Sequence, residues 1–133
     1  FFKERWYGFD DGLYTAARLL EIVAKSKKDV SDVFAELPNS INTPELKLSI
    51  AEDKKFAFIQ AFQAHVDFPD AKLTKIDGVR AEFSDGWGLV RASNTSPYLI
   101  LRFEADNLPA LKRIQTLFGN ALLAMDPHLK LPF

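Results

Sequence analysis

Leu73-Thr74-Lys75-Ile76-Asp77-Gly78-Val79-Arg80-Ala81-Glu82-Phe83-Ser84-Asp85-Gly86-Trp87-Gly88-Leu89-Val90 is the stretch that decides the fold. Leu73–Ile76 and Val79–Phe83 flank Asp77-Gly78, a two-residue hairpin signal, because glycine accepts the positive φ of a tight turn. Asp85-Gly86 turns the chain again into Trp87–Val90, and after a polar loop Tyr98–Ala105 reads as a further strand. Upstream, Leu46, Leu48 and Ile50 alternate with Lys47 and Ser49, the pattern of a half-buried strand. Phe56, Ile59, Phe62 and Val66 then recur at helical spacing, with Asp53 as the expected cap and Pro69 as the stop. Downstream, Asn107 opens a last helix with Pro109 in its first turn, and Leu111, Ile114, Phe118, Ala121 and Met125 form its apolar stripe. The order predicts an α+β fold over residues 42–133: an antiparallel sheet of about four strands with two helices on one face.

Residues 1–37 read differently. Phe1–Phe2 resembles the end of a strand, and Asp10 or Asp11 can cap a helix bearing Leu13, Ala16, Ala17, Leu20, Val23 and Ala24. A short second helix is expected over Ser31–Leu37, capped by Asp29 or Ser31. One strand end and two helices close no core, so the block reads as the helical remnant of an upstream α/β domain. Pro38-Asn39-Ser40 is the expected linker, continuing to Ile41. The chain starts on Phe rather than Met, and the expectation is a piece of a longer polypeptide.

Composition narrows the function. The 133 residues carry 47% hydrophobic residues and twelve Phe, enough for a packed core. A net charge of −1 gives no global attraction for nucleic acid or an anionic membrane. Zero cysteines exclude disulfides and thiolate metal sites and suit a reducing compartment, so a cytoplasmic location is expected. No apolar run approaches the ~20 residues of a membrane span.

Arg91-Ala92-Ser93-Asn94-Thr95-Ser96-Pro97 is the richest site. It joins two strands and offers a guanidinium, three hydroxyls and an amide, the groups that bind a tetrahedral dianion. An ordinary polar turn has the same composition. Asn94-Thr95-Ser96 also matches a glycosylation sequon, without a secretory signal to support it. The acidic pairs Asp10-Asp11 and Glu52-Asp53 stand just before helices, where capping explains them better than metal binding. His65 and His128 are far apart and no zinc set surrounds either. Asp85-Gly86-Trp87-Gly88 lacks the spacing and lysine of a P-loop and reads as a tight hairpin with a close backbone approach. Arg5, Trp6 and Tyr7 fit former core better than a stacking site. No nucleophile with an adjacent base can be assembled.

Four stretches together resemble the α-D-phosphohexomutase family. Phe1-Phe2-Lys3-Glu4-Arg5-Trp6-Tyr7-Gly8-Phe9-Asp10-Asp11-Gly12 resembles the segment after that family's sugar-recognition loop. Gly86-Trp87-Gly88-Leu89-Val90-Arg91-Ala92-Ser93-Asn94-Thr95 resembles its C-terminal phosphate-binding loop. Asp77-Gly78-Val79-Arg80 and Leu101-Arg102-Phe103-Glu104-Ala105 fit the surrounding pattern. The resemblance implies that residues 1–37 end the third of four domains, that residues 38–41 are a hinge (Pro38, Asn39, Ser40), and that residues 42–133 are the fourth, with a TATA-binding-protein-like fold. It implies interconversion of hexose 1-phosphate and hexose 6-phosphate (mannose or glucose) through a bisphosphorylated sugar. Mg²⁺, a phosphoserine and a hexose 1,6-bisphosphate activator would serve the complete enzyme, and none would be bound by this part. Arg91, Ala92, Ser93, Asn94 and Thr95 would hold the phosphate that is not being transferred. The phosphoserine motif, the Asp-rich magnesium loop and the sugar loop of that family are absent from this sequence. The chain alone is therefore expected to be inactive, with a phosphosugar and the upstream domains of the same polypeptide as partners, and neither nucleic acid nor membrane. A stand-alone anion-binding or protein-interaction module is the alternative.

Overall fold

The computed structural model describes residues 1–37 and 40–133. The chain divides into two compact units, Phe1–Asn39 and Ser40–Phe133. Pro38 and Asn39 of the expected linker lie outside the described residues.

The first unit contains α1 (Gly12–Lys25) and α2 (Val30–Ala35). Asp11 caps α1, its Oδ1 accepting from the Tyr14 N–H at 3.0 Å while its Oδ2 accepts from the Trp6 indole at 3.1 Å. One carboxylate thus starts the helix and ties it to the preceding aromatic segment. Of Arg5, Trp6 and Tyr7, only Trp6 is partly buried, its ring stacked on Tyr14 at 4.4 Å and 6°, whereas Tyr7 is 82% exposed. One expectation fails. No strand forms at Phe1–Phe2; the Phe2 carbonyl instead accepts from the Gly8 N–H in a turn. As a block that closes no core would have it, the Leu13/Ala16/Ala17/Leu20 stripe of α1 is not buried: Leu13 is 87% and Leu20 67% exposed. The side chains that do pack, Tyr14, Arg18 and Glu21, lie on the face turned to residues 1–9. Asp29 occupies the cap position of α2 but makes no side-chain cap bond, and the helix stops at Ala35, short of Leu37.

The second unit is a two-layer α+β structure. Its sheet has six strands: β1 (Ile41–Asn42), β2 (Leu46–Ser49), β3 (Lys72–Thr74), β4 (Val79–Phe83), β5 (Gly86–Ala92) and β6 (Tyr98–Ala105). The order is β1-β6-β5-β4-β3, all antiparallel, and β2 continues the line of β1 along the same edge of β6. The excess over about four comes partly from β1, only two residues long. Ile41, expected in the hinge, is its first residue and pairs with Ala105. Thr43 extends the pairing, exchanging hydrogen bonds with the Phe103 backbone.

Helices α3 (Lys55–His65) and α4 (Leu108–Met125) cover one sheet face. Ile59 and Phe62 of α3, and Leu111, Ile114, Phe118 and Leu122 of α4, meet Val79, Ala81, Val90, Leu99, Leu101 and Phe103 from the strands. Phe118 lies 4.9 Å from Phe68 and 5.4 Å from Phe103, ring centre to ring centre. Full burial of each such side chain is worth about 1.5–3 kcal/mol. Asn107 caps α4 as expected, its Oδ1 accepting from the Ala110 N–H at 2.9 Å. At α3 the expected Asp53 cap is replaced: Lys54 stands at the cap position and no side chain bonds there. Gly88 admits the helix layer, since a Cβ at that position would run into Phe118 and Phe103.

Candidate phosphate-binding loop

β5 and β6 carry the site. The strand runs two residues beyond the expected Trp87–Val90, so Arg91 and Ala92 are ladder residues paired with Ile100 and Leu99. Alternation sends Ala92 into the core beside Val90 and leaves Arg91 on the face away from the helices. Ser93 is buried, whereas Asn94 and Thr95 are exposed. Of the five residues expected to touch phosphate, the fold therefore presents the side chains of Arg91, Asn94 and Thr95 to solvent. Ser93 acts within the loop, its Oγ accepting from the Thr95 N–H at 3.3 Å.

The loop is fastened from behind. The Ser93 N–H donates to the Tyr98 carbonyl at 3.0 Å, and the Tyr98 N–H to the Ser96 carbonyl at 2.8 Å. The Ile50 N–H donates to the Pro97 carbonyl at 3.2 Å. Lys55 Nζ donates to the Ser96 carbonyl at 3.0 Å. The carbonyls of residues 96, 97 and 98 are thus occupied by protein donors, which removes their negative ends from competition with an anion.

Arg91 has its own support. Its Nη1 donates to Asp77 Oδ2 at 3.1 Å. Asp77 sits in the β3–β4 connection, which spans residues 75–78 rather than two residues. The connection is wide because α3 claims its backbone: Gln63 Nε2 donates to the Lys75 and Gly78 carbonyls, and Lys75 Nζ donates back to the Gln63 carbonyl. Gly78 has φ +74°, and a Cβ there would overlap the Val90 carbonyl and crowd Arg91. The turn therefore presses directly on the backbone that presents the guanidinium. The next turn comprises Ser84 and Asp85, with Gly86 already paired to Phe83 in β5. Asp85 bonds Arg113 of α4, which ties this turn to the helix layer.

His65 closes α3 with Nδ1 2.8 Å from the Ala61 carbonyl, and His128 is exposed. Among the described residues no three His, Asp or Glu side chains converge as metal ligands.

Two family models match the chain: "Phosphoglucomutase/phosphomannomutase, C-terminal domain" over residues 45–119, and "Phosphoglucomutase/phosphomannomutase, alpha/beta/alpha domain III" over residues 1–41. The chain belongs to the phosphoglucomutase/phosphomannomutase family. It is 53% identical over 133 residues to a phosphomannomutase/phosphoglucomutase of Pseudomonas putida, covering all of this chain and 29% of that protein. It is 52% identical over 134 residues to a phosphoglucomutase of Neisseria gonorrhoeae, covering 99% of this chain and 29% of that protein. A crystal structure of a phosphoglucomutase/phosphomannomutase family protein from Burkholderia thailandensis superposes with a TM-score of 0.86 at 50% identity, covering all of this chain and 28% of that one. The chain thus spans under a third of the length of the family members it matches. Among the described residues no helix is long and apolar enough to cross a membrane.

Sequence reasoning pointed to Arg91–Thr95 and did not single out three residues that the fold places around that loop: Asp77 as the partner of Arg91, Gln63 as the clamp on the turn, and Lys55 behind the loop. A lysine at an otherwise apolar helical position was the one available signal, since Lys55 falls four residues before Ile59 on the buried stripe.

Proposed function

We propose that this chain is the phosphate-gripping C-terminal part of a phosphohexomutase that interconverts hexose 1-phosphate and hexose 6-phosphate, with mannose or glucose as the sugar. In this reading Arg91, Asn94 and Thr95, braced by Ser93, hold the phosphate that is not being transferred, and the domain closes over the cleft about residues 38–40. Upstream parts of the complete enzyme would supply the phosphoserine, the Mg²⁺ and the sugar-hydroxyl contacts, with a hexose 1,6-bisphosphate as activator. The observation that carries the reading is the loop itself: a half-exposed arginine and exposed Asn94 and Thr95 stand on a turn whose carbonyls at 96–98 are already taken by protein donors. Such a turn recognises a dianion without reference to the sugar oxygen that bears it. A bisphosphorylated intermediate held in two orientations needs that tolerance.

Amide shifts during a phosphate titration of the chain test it. The largest shifts are expected within residues 88–97, with an affinity on the order of millimolar, since one phosphate without sugar contacts offers few interactions. Arg91→Ala should weaken binding by about 10²-fold, the loss of a charge-assisted contact. Arg91→Lys should recover only part, because an ammonium lacks the planar fork. The chain alone should turn over no glucose 1-phosphate in a coupled assay. Shifts centred elsewhere, or unchanged by Arg91→Ala, reduce the loop to a polar turn.

A further inference from the structure

We infer that Lys55 is the positioning residue of the phosphate loop: its buried ammonium fixes the Ser96 carbonyl and thereby the conformation in which Asn94 and Thr95 are offered to an anion. The inference rests on the phosphate reading of that loop. Lys55 is 0% exposed, although it carries a charge and is the first residue of α3. A buried cation is costly without partners, and the N-terminal end of a helix is the end that repels positive charge. Neither the helix nor the core therefore explains a lysine here.

Its contacts do. Nζ donates to the Ser96 carbonyl at 3.0 Å, pairs with Glu52 Oε1 at 2.6 Å, and lies 5.0 Å from the Phe56 ring centre. The first of these contacts joins segments 41 residues apart in sequence and lands on the loop. The same carbonyl accepts from the Tyr98 N–H, the bond that closes the turn, and the neighbouring Pro97 carbonyl accepts from Ile50, next to the α3 entry. The β2–α3 segment therefore grips two successive loop carbonyls from below. Glu52 offsets the lysine's charge, so Lys55 acts by holding backbone rather than by adding field at the anion.

Lys55→Met keeps most of the volume and removes the donor. In the ligand-free protein it should accelerate exchange of the Thr95 and Tyr98 amides about tenfold, the loss of one charge-assisted hydrogen bond. Exchange of the α4 amides, Leu111 to Met125, reports overall stability and should change less. Phosphate affinity should fall by a similar factor with the shifts still centred on residues 88–97. Lys55→Arg, which restores a buried donor, should recover part of both effects; where Lys55→Met does not fold, it carries the comparison with the wild-type chain. Equal acceleration of loop and α4 amides would mean that Lys55 merely stabilises the domain and would overturn the inference. So would unchanged phosphate affinity beside a wild-type chain that binds. A wild-type chain with no shifts at residues 91–95 overturns the phosphate site itself, and the positioning role with it.

Discussion

Arg91 meets Asp77, and on the proposed phosphate reading that pair would set how tightly the loop holds an anion. The carboxylate orients one arm of the guanidinium at 3.1 Å but also repels a second negative charge. Both side chains are substantially exposed, so the pair itself contributes only about 0.2–1 kcal/mol. On the proposed reading, weak restraint would suit a site that releases phosphate and accepts it again on another oxygen. Asp77→Asn should therefore tighten phosphate binding by about 1.4–5-fold, the equivalent of that energy. The gain should shrink at high salt, where exposed charges are screened beyond ~3–10 Å. Titrations of the variant at low and high ionic strength decide it. Weaker binding in Asp77→Asn would show that orientation of Arg91 outweighs repulsion.

At the scale of elements, α1 is held by charge where α4 is held by packing. Glu21 pairs with Lys25 at 2.6 Å, Arg5 at 2.9 Å and Arg18 at 3.3 Å. Hydrogen bonds from Lys25 and then Arg5 pull its carboxyl down to about 2 from the usual 4.5. The same bond raises Arg5 above its ordinary value. A depressed carboxylate stabilises the folded form above its unfolded pKa and loses that contribution as pH falls through the folded one. The packing of residues 1–9 on α1 should thus weaken between pH 4.5 and about 2. The Trp6 indole N–H resonance reports that packing, and Glu21→Gln should flatten its pH response there relative to the parent chain; Asp11, its direct acceptor, is present in both. Helix α4 needs no such network, and this contrast explains what could be read in advance. Its cap at Asn107 and its stripe from Leu111 to Met125 are local in sequence, so both were legible. The antiparallel hairpin order and the position of the polar turn between β5 and β6 were legible for the same reason. β1 is too short for any periodicity, and the width of the 75–78 turn depends on Gln63 from another element. The exposure of Leu13 and Leu20 followed from the count of elements, since one strand end and two helices close no core; periodicity by itself records which residues would be buried, not whether anything covers them.

Across the whole molecule the two units differ in how much surface they bury. The second unit encloses Phe62, Phe103, Phe118, Leu99, Leu101, Ile114 and Leu122 almost completely. In the first unit neither helix has a buried residue. A helix of 14 residues is marginal in water without tertiary packing, since nucleation costs more than short propagation returns. The chain should therefore lose α1 before the sheet and α4. In native-state hydrogen exchange, amides of residues 13–24 should exchange through local opening, whereas those of residues 111–125 should approach the global unfolding limit. For a domain of ordinary stability, that limit lies at least about 10³-fold above the protection of a weakly packed helix. Denaturant should likewise unfold the first unit at lower concentration, giving a transition that is not two-state. Self-association would bury the exposed Leu13 and Leu20 and raise protection of α1 without any change within the unit, so mass in solution has to be measured on the same sample. Equal protection of the two helices in a monomer would mean that the first unit draws stability from something other than buried apolar surface, and the charge network around Glu21 would be the first place to look, by repeating the exchange on Glu21→Gln.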